Sequence, residues 1–381
     1  MNVYADYLTK LKYKRSLKLI TRDSPANQIA FNAQSFVNFA SNDYLGLTAH
    51  PLLRTWAHEY ALAYGNGSAS SRLITGNLTI HQALEDMLAQ YLKKPAALVM
   101  GSGYSTNASI IEALLMPMAG EVGVFIDKHC HASIYQGIRS GIALKRFFHN
   151  DVTHLEKLLM ACSKKHKFII VESIYSMDGD IADLEKICQL AQAHNAFLYV
   201  DDAHSFGVLG ENGAGLAAAY ADKIDVIMGT FSKGAGCYGA FIGCNAVIKE
   251  YLVNTCKALI YSTSPSPPMI GAMAGALSLL PTLNDARAHL RKLCLQLKKI
   301  FIKLQIPPAT HYIIPWIISD NQKLVQATDF MHQHHIFALP IRSPTVSPKT
   351  SRLRFCLNAA MHSEQINYLG EVIEAMKYKF L

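Results

Sequence analysis

Three short apolar runs, Phe168–Val171, Phe197–Val200 and Val226–Met228, each break directly into polar residues. Each run is nearly all apolar rather than alternating, which is the pattern of a strand covered on both faces. Helical stretches near Asp183–His194 and Leu216–Ala221 separate them. Alternation of this kind makes a parallel sheet with crossover helices. Such sheets bind ligands beyond the carboxyl ends of their strands. The polar residues that follow the runs, Glu172–Ser176, Asp201–His204 and Thr230–Lys233, should therefore gather at one edge.

The chain has 381 residues, half of them hydrophobic and 17% charged. That allows one large domain plus a smaller one and argues against extended disorder. The net charge of +8 is spread along the chain, apart from a lysine-rich N-terminus and the stretch 287–303. No nucleic-acid recognition motif accompanies it. A basic surface suits a polyanionic substrate such as a coenzyme A thioester, or an acidic carrier protein. The eight cysteines form no C-x-x-C pair and read as free thiols in a reducing compartment. There is no signal-peptide pattern, and no apolar run reaches the roughly 18–20 residues that span a membrane. The expectation is a cytoplasmic protein with no membrane or nucleic-acid partner.

Residues 4–19 read as an amphipathic basic helix and 79–93 as a second helix. Toward the C-terminus, a long helix near 284–304 is followed by strands at Pro315–Ile318 and Arg352–Leu357 and helices near 321–335 and 363–378. The expected division is an N-terminal segment 1–40, a large domain 41–283 and a smaller α+β domain 284–381. The run His332–His335 reads as a solvated helix end.

Lys233 follows Thr230-Phe231-Ser232 and enters a glycine cluster. A lysine is costly to bury as a cation, but a desolvated amine can attack an aldehyde and form a Schiff base. Hydroxyls at Thr230 and Ser232 could hold a phosphate beside it, a combination that suggests pyridoxal phosphate (PLP). The same lysine would also suit the mouth of an ordinary loop. Asp201 ends its run and could hold a pyridinium nitrogen protonated, or cap a helix, or bind a metal. His204 could reach the oxygen of the same ring. The segment Gly101-Ser102-Gly103-Tyr104-Ser105-Thr106-Asn107 follows the apolar run Ala96–Met100 and opens a helical pattern, where exposed N–H groups suit a phosphate. In Asp127-Lys128-His129-Cys130-His131-Ala132-Ser133 one histidine could stack on a flat ring. As a metal pair, His129 and His131 would point to opposite sides of an extended segment. No second cluster at metal-ligand spacing is evident.

Ser41-Asn42-Asp43-Tyr44-Leu45-Gly46-Leu47, Ser176-Met177-Asp178-Gly179-Asp180, Val200-Asp201-Asp202-Ala203-His204 and Thr230-Phe231-Ser232-Lys233 occur in this order. With them, from about residue 38 to 360, the chain resembles the α-oxoamine synthases, PLP enzymes of fold type I. The resemblance implies an α/β PLP-dependent transferase fold, with a large domain built on a mostly parallel central sheet. Lys233 would carry the cofactor. Asp201 would pair with the pyridine nitrogen, His204 and Ser176 with the ring oxygen, and His131 would stack on the ring face. Gly103, Tyr104 and Thr230 would hold the phosphate, joined by Ser262 and Thr263 from a partner subunit of a homodimer. Arg354 would bind the amino-acid carboxylate, with Asn42, Thr345 and Arg15 also on substrate.

Within the family, Phe148-His149-Asn150-Asp151, Leu259-Ile260-Tyr261-Ser262-Thr263-Ser264 and Ile341-Arg342-Ser343-Pro344-Thr345-Val346 resemble the member that joins L-alanine to a pimeloyl thioester, of coenzyme A or a carrier protein, in biotin biosynthesis. Relatives that use glycine, or a long-chain acyl-CoA, are the alternative. The chain departs from the family pattern at Ser205 and Ala214, where glycine and arginine are usual, and at Ser343, where proline is.

Overall fold

The computed structural model describes residues 2–11, 14, 16–22, 27–308 and 311–380. A helix Val3–Lys10 precedes three short strands, Thr21–Arg22 (β1), Gln28–Phe31 (β2) and Gln34–Asn38 (β3). Seven strands then build the central sheet: Ala96–Met100 (β4), Val122–Asp127 (β5), Ala143–Phe147 (β6), His166–Glu172 (β7), Ala196–Asp201 (β8), Val226–Thr230 (β9) and Ala240–Cys244 (β10). Their order across the sheet is β4-β10-β9-β8-β7-β5-β6. Only β10 runs antiparallel to its neighbours. It follows β9 directly through the Lys233 loop with no crossover helix, and a short return of that kind can only pair antiparallel.

The three apolar runs are the middle of this sheet, as expected. Phe168, Ile169, Ile170 and Val171 are fully inaccessible to solvent, and so are Val200, Val226 and Ile227. One hydrophobic cluster takes in consecutive residues of β5, β7, β8 and β9 and so packs both faces of the sheet, and a second joins Ala97, Val99 and Phe241 of β4 and β10 to the C-terminal region. The parallel register sets Glu172 opposite Asp201 and Asp201 opposite Met228. The carboxyl ends of β7, β8 and β9 therefore lie level, and their polar residues share one edge.

The C-terminal part carries an antiparallel sheet in which Arg352–Cys356 (β14) is central, between Ile313–Ile317 (β11) and Leu339–Ile341 (β13). Helix Asn321–Gln333 packs against β13 and β14, and helices Asn284–Lys303 and Ser363–Phe380 pack on one another. A further strand, Ile336–Phe337 (β12), pairs parallel with β3. The N-terminal strands thus share a sheet with the C-terminal region.

The N-terminal helix is shorter than the periodicity predicts. It ends at Lys10, none of its residues is buried, and Leu17 and Leu19 are exposed outside it. An isolated helix of this length has little stability of its own, and no packing extends it here. The His332–His335 run does end a helix, with Gln333 and His335 exposed and His332 and His334 half-buried. His332 stacks on Phe337 with ring centroids 5.3 Å apart, and His335 faces the Ser35 carbonyl oxygen at 3.1 Å. Among the described residues, no helix is long and apolar enough to cross a membrane.

Candidate active site

At the level edge lies a cavity of about 190 Å³ lined by Gly103, Tyr104, Asn107, His131, Ser133, Glu172, Asp201, Ala203, His204, Met228, Thr230, Ser232 and Lys233. Five elements converge on it: the helix Gly103–Leu115 and the ends of β5, β7, β8 and β9. Of the sequence-predicted residues, it brings together Gly103, Tyr104, His131, Asp201, His204, Thr230 and Lys233.

The Lys233 loop is anchored by its neighbours. Phe231 is fully buried in an aromatic cluster with Phe206 and Phe241. Thr230 donates its hydroxyl to the Gly239 carbonyl at 2.8 Å and accepts from the Ser232 N–H at 3.1 Å. Gly236 sits at φ +71°, and a Cβ there would fall 2.5 Å from Leu47 Cβ. A side chain at that turn would push the whole loop off the body of the protein. Burial lowers the affinity of the Lys233 amine for its proton, while Asp201 and Glu172 pull the other way. The net direction is down, so a larger share of the amine is neutral than in water.

Asp201 is held from two sides. Its Oδ1 accepts from the Ala203 N–H at 3.0 Å and its Oδ2 from Asn107 Nδ2 at 2.7 Å. His131 caps the helix Ala132–Gln136, its Nδ1 accepting from the Ser133 N–H at 3.2 Å. Its backbone N–H is taken by the Glu172 carboxylate. Burial, with Lys233 adding to it, pushes the His131 pKa down. Burial and then Asp201 push that of Glu172 up. His204 is pushed well below the ordinary value by burial, then by Lys233 and Arg354, so its ring is neutral. Its Nδ1 lies 2.7 Å from the Tyr44 hydroxyl.

A second tier stands behind His204. Asn42 Oδ1 lies 3.1 Å from both Tyr44 Oη and Arg354 Nη2. Arg354 Nε is buried with no hydrogen-bond partner. An unpaired guanidinium N–H in such a place is costly and suits an incoming carboxylate. Asn42, Arg354 and Ser176 lie outside the cavity lining, and so do Ser262, Thr263 and Thr345. Ser176 is buried in the loop after β7. Ser262 and Thr263 are exposed, and Thr263 is bridged to Ser71. Thr345 lines a separate groove with Lys14, Lys18 and Arg342. Arg15 lies outside the described residues.

Sequence reasoning placed Glu172 at the ligand-binding edge without giving it a role, and singled out neither Asn107 nor Ser133 as a cavity residue. Glu172 ends an apolar run as Asp201 does, and that shared position was the available signal. Asn107 lies at the end of the segment read as a phosphate loop, one helical turn past Gly103, and Ser133 is two residues from His131.

The residues fit PLP on their own chemistry. A desolvated lysine shares one cavity with a buried carboxylate, and the start of an α-helix faces the hydroxyls of Thr230 and Ser232. An added Cβ at Gly103 would crowd Met228 at 3.2 Å and meet Thr230 at 3.8 Å, so the bare backbone there stands close to the Thr230 side of the cavity. His129, by contrast, points away from the cavity. It stacks on His149 with centroids 4.0 Å apart and lies 3.2 Å from Asp178. His149 donates to Asp127 at 2.9 Å and Asp180 at 2.7 Å. Burial opposes its charge, but the two carboxylates outweigh burial and raise it to about 9. A charged ring donating from both nitrogens offers no lone pair to a metal.

The family model for class I and II aminotransferases matches residues 34–373. A Gluconacetobacter diazotrophicus protein named 8-amino-7-oxononanoate synthase is 37% identical, over 97% of this chain and 94% of its own length. A Bordetella pertussis protein provisionally named for the same activity is 40% identical, over 92% of this chain and 90% of its own. A solved serine palmitoyltransferase with its PLP internal aldimine superposes with a TM-score of 0.89 at 26% identity, over 96% of this chain and 93% of that one. An 8-amino-7-oxononanoate synthase from Francisella tularensis superposes with a TM-score of 0.77 at 26% identity, over 91% and 99%.

Proposed function

The chain belongs to the class I and II aminotransferase family, in its α-oxoamine synthase branch, and from that premise we propose that this PLP-dependent acyltransferase condenses L-alanine with a pimeloyl thioester. The products are 8-amino-7-oxononanoate, carbon dioxide and the free thiol, a step of biotin biosynthesis. The observation that carries the chemistry is the desolvated Lys233 sharing one cavity with Asp201, His131 and His204. The names of relatives up to 40% identical over most of the chain support the substrate pair.

Bound PLP supplies an electron sink for the pair of electrons left when the amino-acid α-proton departs. Lys233 Nζ is the base for that proton, because burial leaves more of it neutral. Asp201 would pair with the ring nitrogen and keep a proton there. His204, neutral and hydrogen-bonded through Nδ1 to Tyr44, would pair with the ring oxygen. Arg354 receives the amino-acid carboxylate through its free Nε–H. The His131 Nδ1 is occupied as an acceptor, so Nε2 carries the proton and faces the acyl oxygen as a donor. The amino-acid α-carbon attacks the thioester carbon, the thiol leaves, the β-keto acid loses carbon dioxide, and a proton returns to the α-carbon.

The working unit is a homodimer in this reading. Leu73, Ile74 and Tyr261 are exposed, and their segments meet where Thr263 bridges Ser71. A partner surface would cover them and bring Ser262 and Thr263 to the neighbouring phosphate site.

The superposition on serine palmitoyltransferase favours a second reading, with another amino acid and a long-chain acyl thioester. A thiol-release assay with L-alanine, glycine and L-serine against pimeloyl and long-chain thioesters separates the two. Release from alanine with the pimeloyl thioester is expected. Release only from another pair would overturn the substrate assignment.

A further inference from the structure

We propose that Asn107 is a positioning residue that serves two cofactor-facing groups at once, orienting Asp201 with one amide N–H and His131, through Ser133, with the other. The proposal rests on the PLP reading of this cavity. Asn107 is 2% exposed on the first turns of the helix Gly103–Leu115. Its amide orientation is determined by Tyr199, whose hydroxyl donates to Asn107 Oδ1 at 2.7 Å. Tyr199 is fully buried, and burial, with Asp201 adding to it, raises its pKa well above the ordinary value, so it stays a donor. With Oδ1 engaged, both amide hydrogens point the other way. One goes to Asp201 Oδ2 at 2.7 Å and the other to Ser133 Oγ at 3.0 Å.

Ser133 then has one hydrogen left to give. It is an acceptor from Asn107, and its Oγ lies 2.7 Å from His131 Nδ1, which already accepts from the Ser133 backbone. The hydroxyl therefore donates to Nδ1 and reinforces the tautomer with hydrogen on Nε2. The chain of donors runs Tyr199, Asn107, Ser133, His131 without reversal, and it leaves the His131 Nε2–H to give. One amide thus couples the carboxylate at the ring nitrogen to the imidazole on the ring face.

A purely structural role for Asn107 predicts lost stability alone. Coupling predicts a pattern across variants, read without substrates. PLP affinity is measured from the chromophore of the wild type, Asn107→Leu, Asp201→Asn and the double variant. Asn107→Leu is expected to weaken PLP binding about ten-fold or more, the scale of one hydrogen bond to a charged group. The double variant is expected to be no weaker than the worse single one, since the two act through one contact. In ¹⁵N spectra of histidine-labelled holoprotein, Asn107→Leu and Ser133→Ala should both shift the His131 Nδ1 signal. PLP affinity should fall less in Ser133→Ala. If Asn107→Leu does not fold, Tyr199→Phe serves in its place, with a PLP loss of a few-fold expected. PLP affinity within about two-fold of wild type in the substituted protein, or additive losses in the double variant, would overturn the coupling while leaving the PLP reading intact. A wild-type protein that takes up no PLP would overturn both.

Discussion

Arg352 Nη1 lies 2.6 Å from Asp178 Oδ1, joining β14 to the loop that follows β7. The same guanidinium donates to the Met177 carbonyl at 2.9 Å, next to Ser176. Arg354, two residues along β14, faces Asn42. The pair therefore holds the strand that carries Arg354 against the loop that carries Ser176. Arg352→Gln should raise the KM for the amino acid about ten-fold while kcat falls less, a split that steady-state kinetics reads directly. It should also cost about 2–4 kcal/mol of stability, because a largely buried pair is broken.

The pH dependence of that cost has a definite sign. Burial alone would raise Asp178, but His129 and Arg352 outweigh it and hold its carboxyl at about 2. A depressed carboxyl contributes stability above its unfolded value, and that contribution is lost as pH falls through the folded value. The stability difference between wild type and Arg352→Gln, from denaturant midpoints, should shrink as pH falls from about 5 toward about 2.

His149 predicts the opposite trend. Its folded pKa, raised to about 9, exceeds the ordinary histidine value. Its contribution is full below the unfolded value and is lost as pH rises through the folded one. His149→Gln should cost about 2–4 kcal/mol near pH 6 and distinctly less above about pH 9. Thermal melts of the two proteins across that range measure it.

His204 should not shape the pH–rate profile. Burial, Lys233 and Arg354 hold it neutral through the working range. Any limb between about pH 6 and 9 should therefore persist in His204→Gln, with kcat lowered about ten-fold or less for the lost contact. Disappearance of the limb in that variant would place the titration on His204.

The central sheet was legible because β7, β8 and β9 are buried on both faces, which leaves an unbroken apolar run in the sequence. The edge strand β6 was not. Leu144, Lys145 and Arg146 are exposed, and an edge with charged residues reads as loop. The helix Thr79–Tyr91 was found by its period, but its start is capped by His81, whose ring accepts from the Leu78 N–H at 3.1 Å. In the cavity, the residues beside strand ends were readable because topology alone brings them together. Asn107 and Ser133 were not, since their roles depend on which amide hydrogen points where. The pairing of β12 with β3 joins positions about 300 apart in the chain, a contact no local pattern encodes.

The account turns on Lys233 as the residue that carries PLP. Borohydride reduction of the holoprotein followed by peptide mass mapping tests it most directly. A pyridoxyl group on the peptide containing Lys233, absent in Lys233→Ala, is the predicted result. A group on another lysine, or none on a protein saturated with PLP, would contradict it.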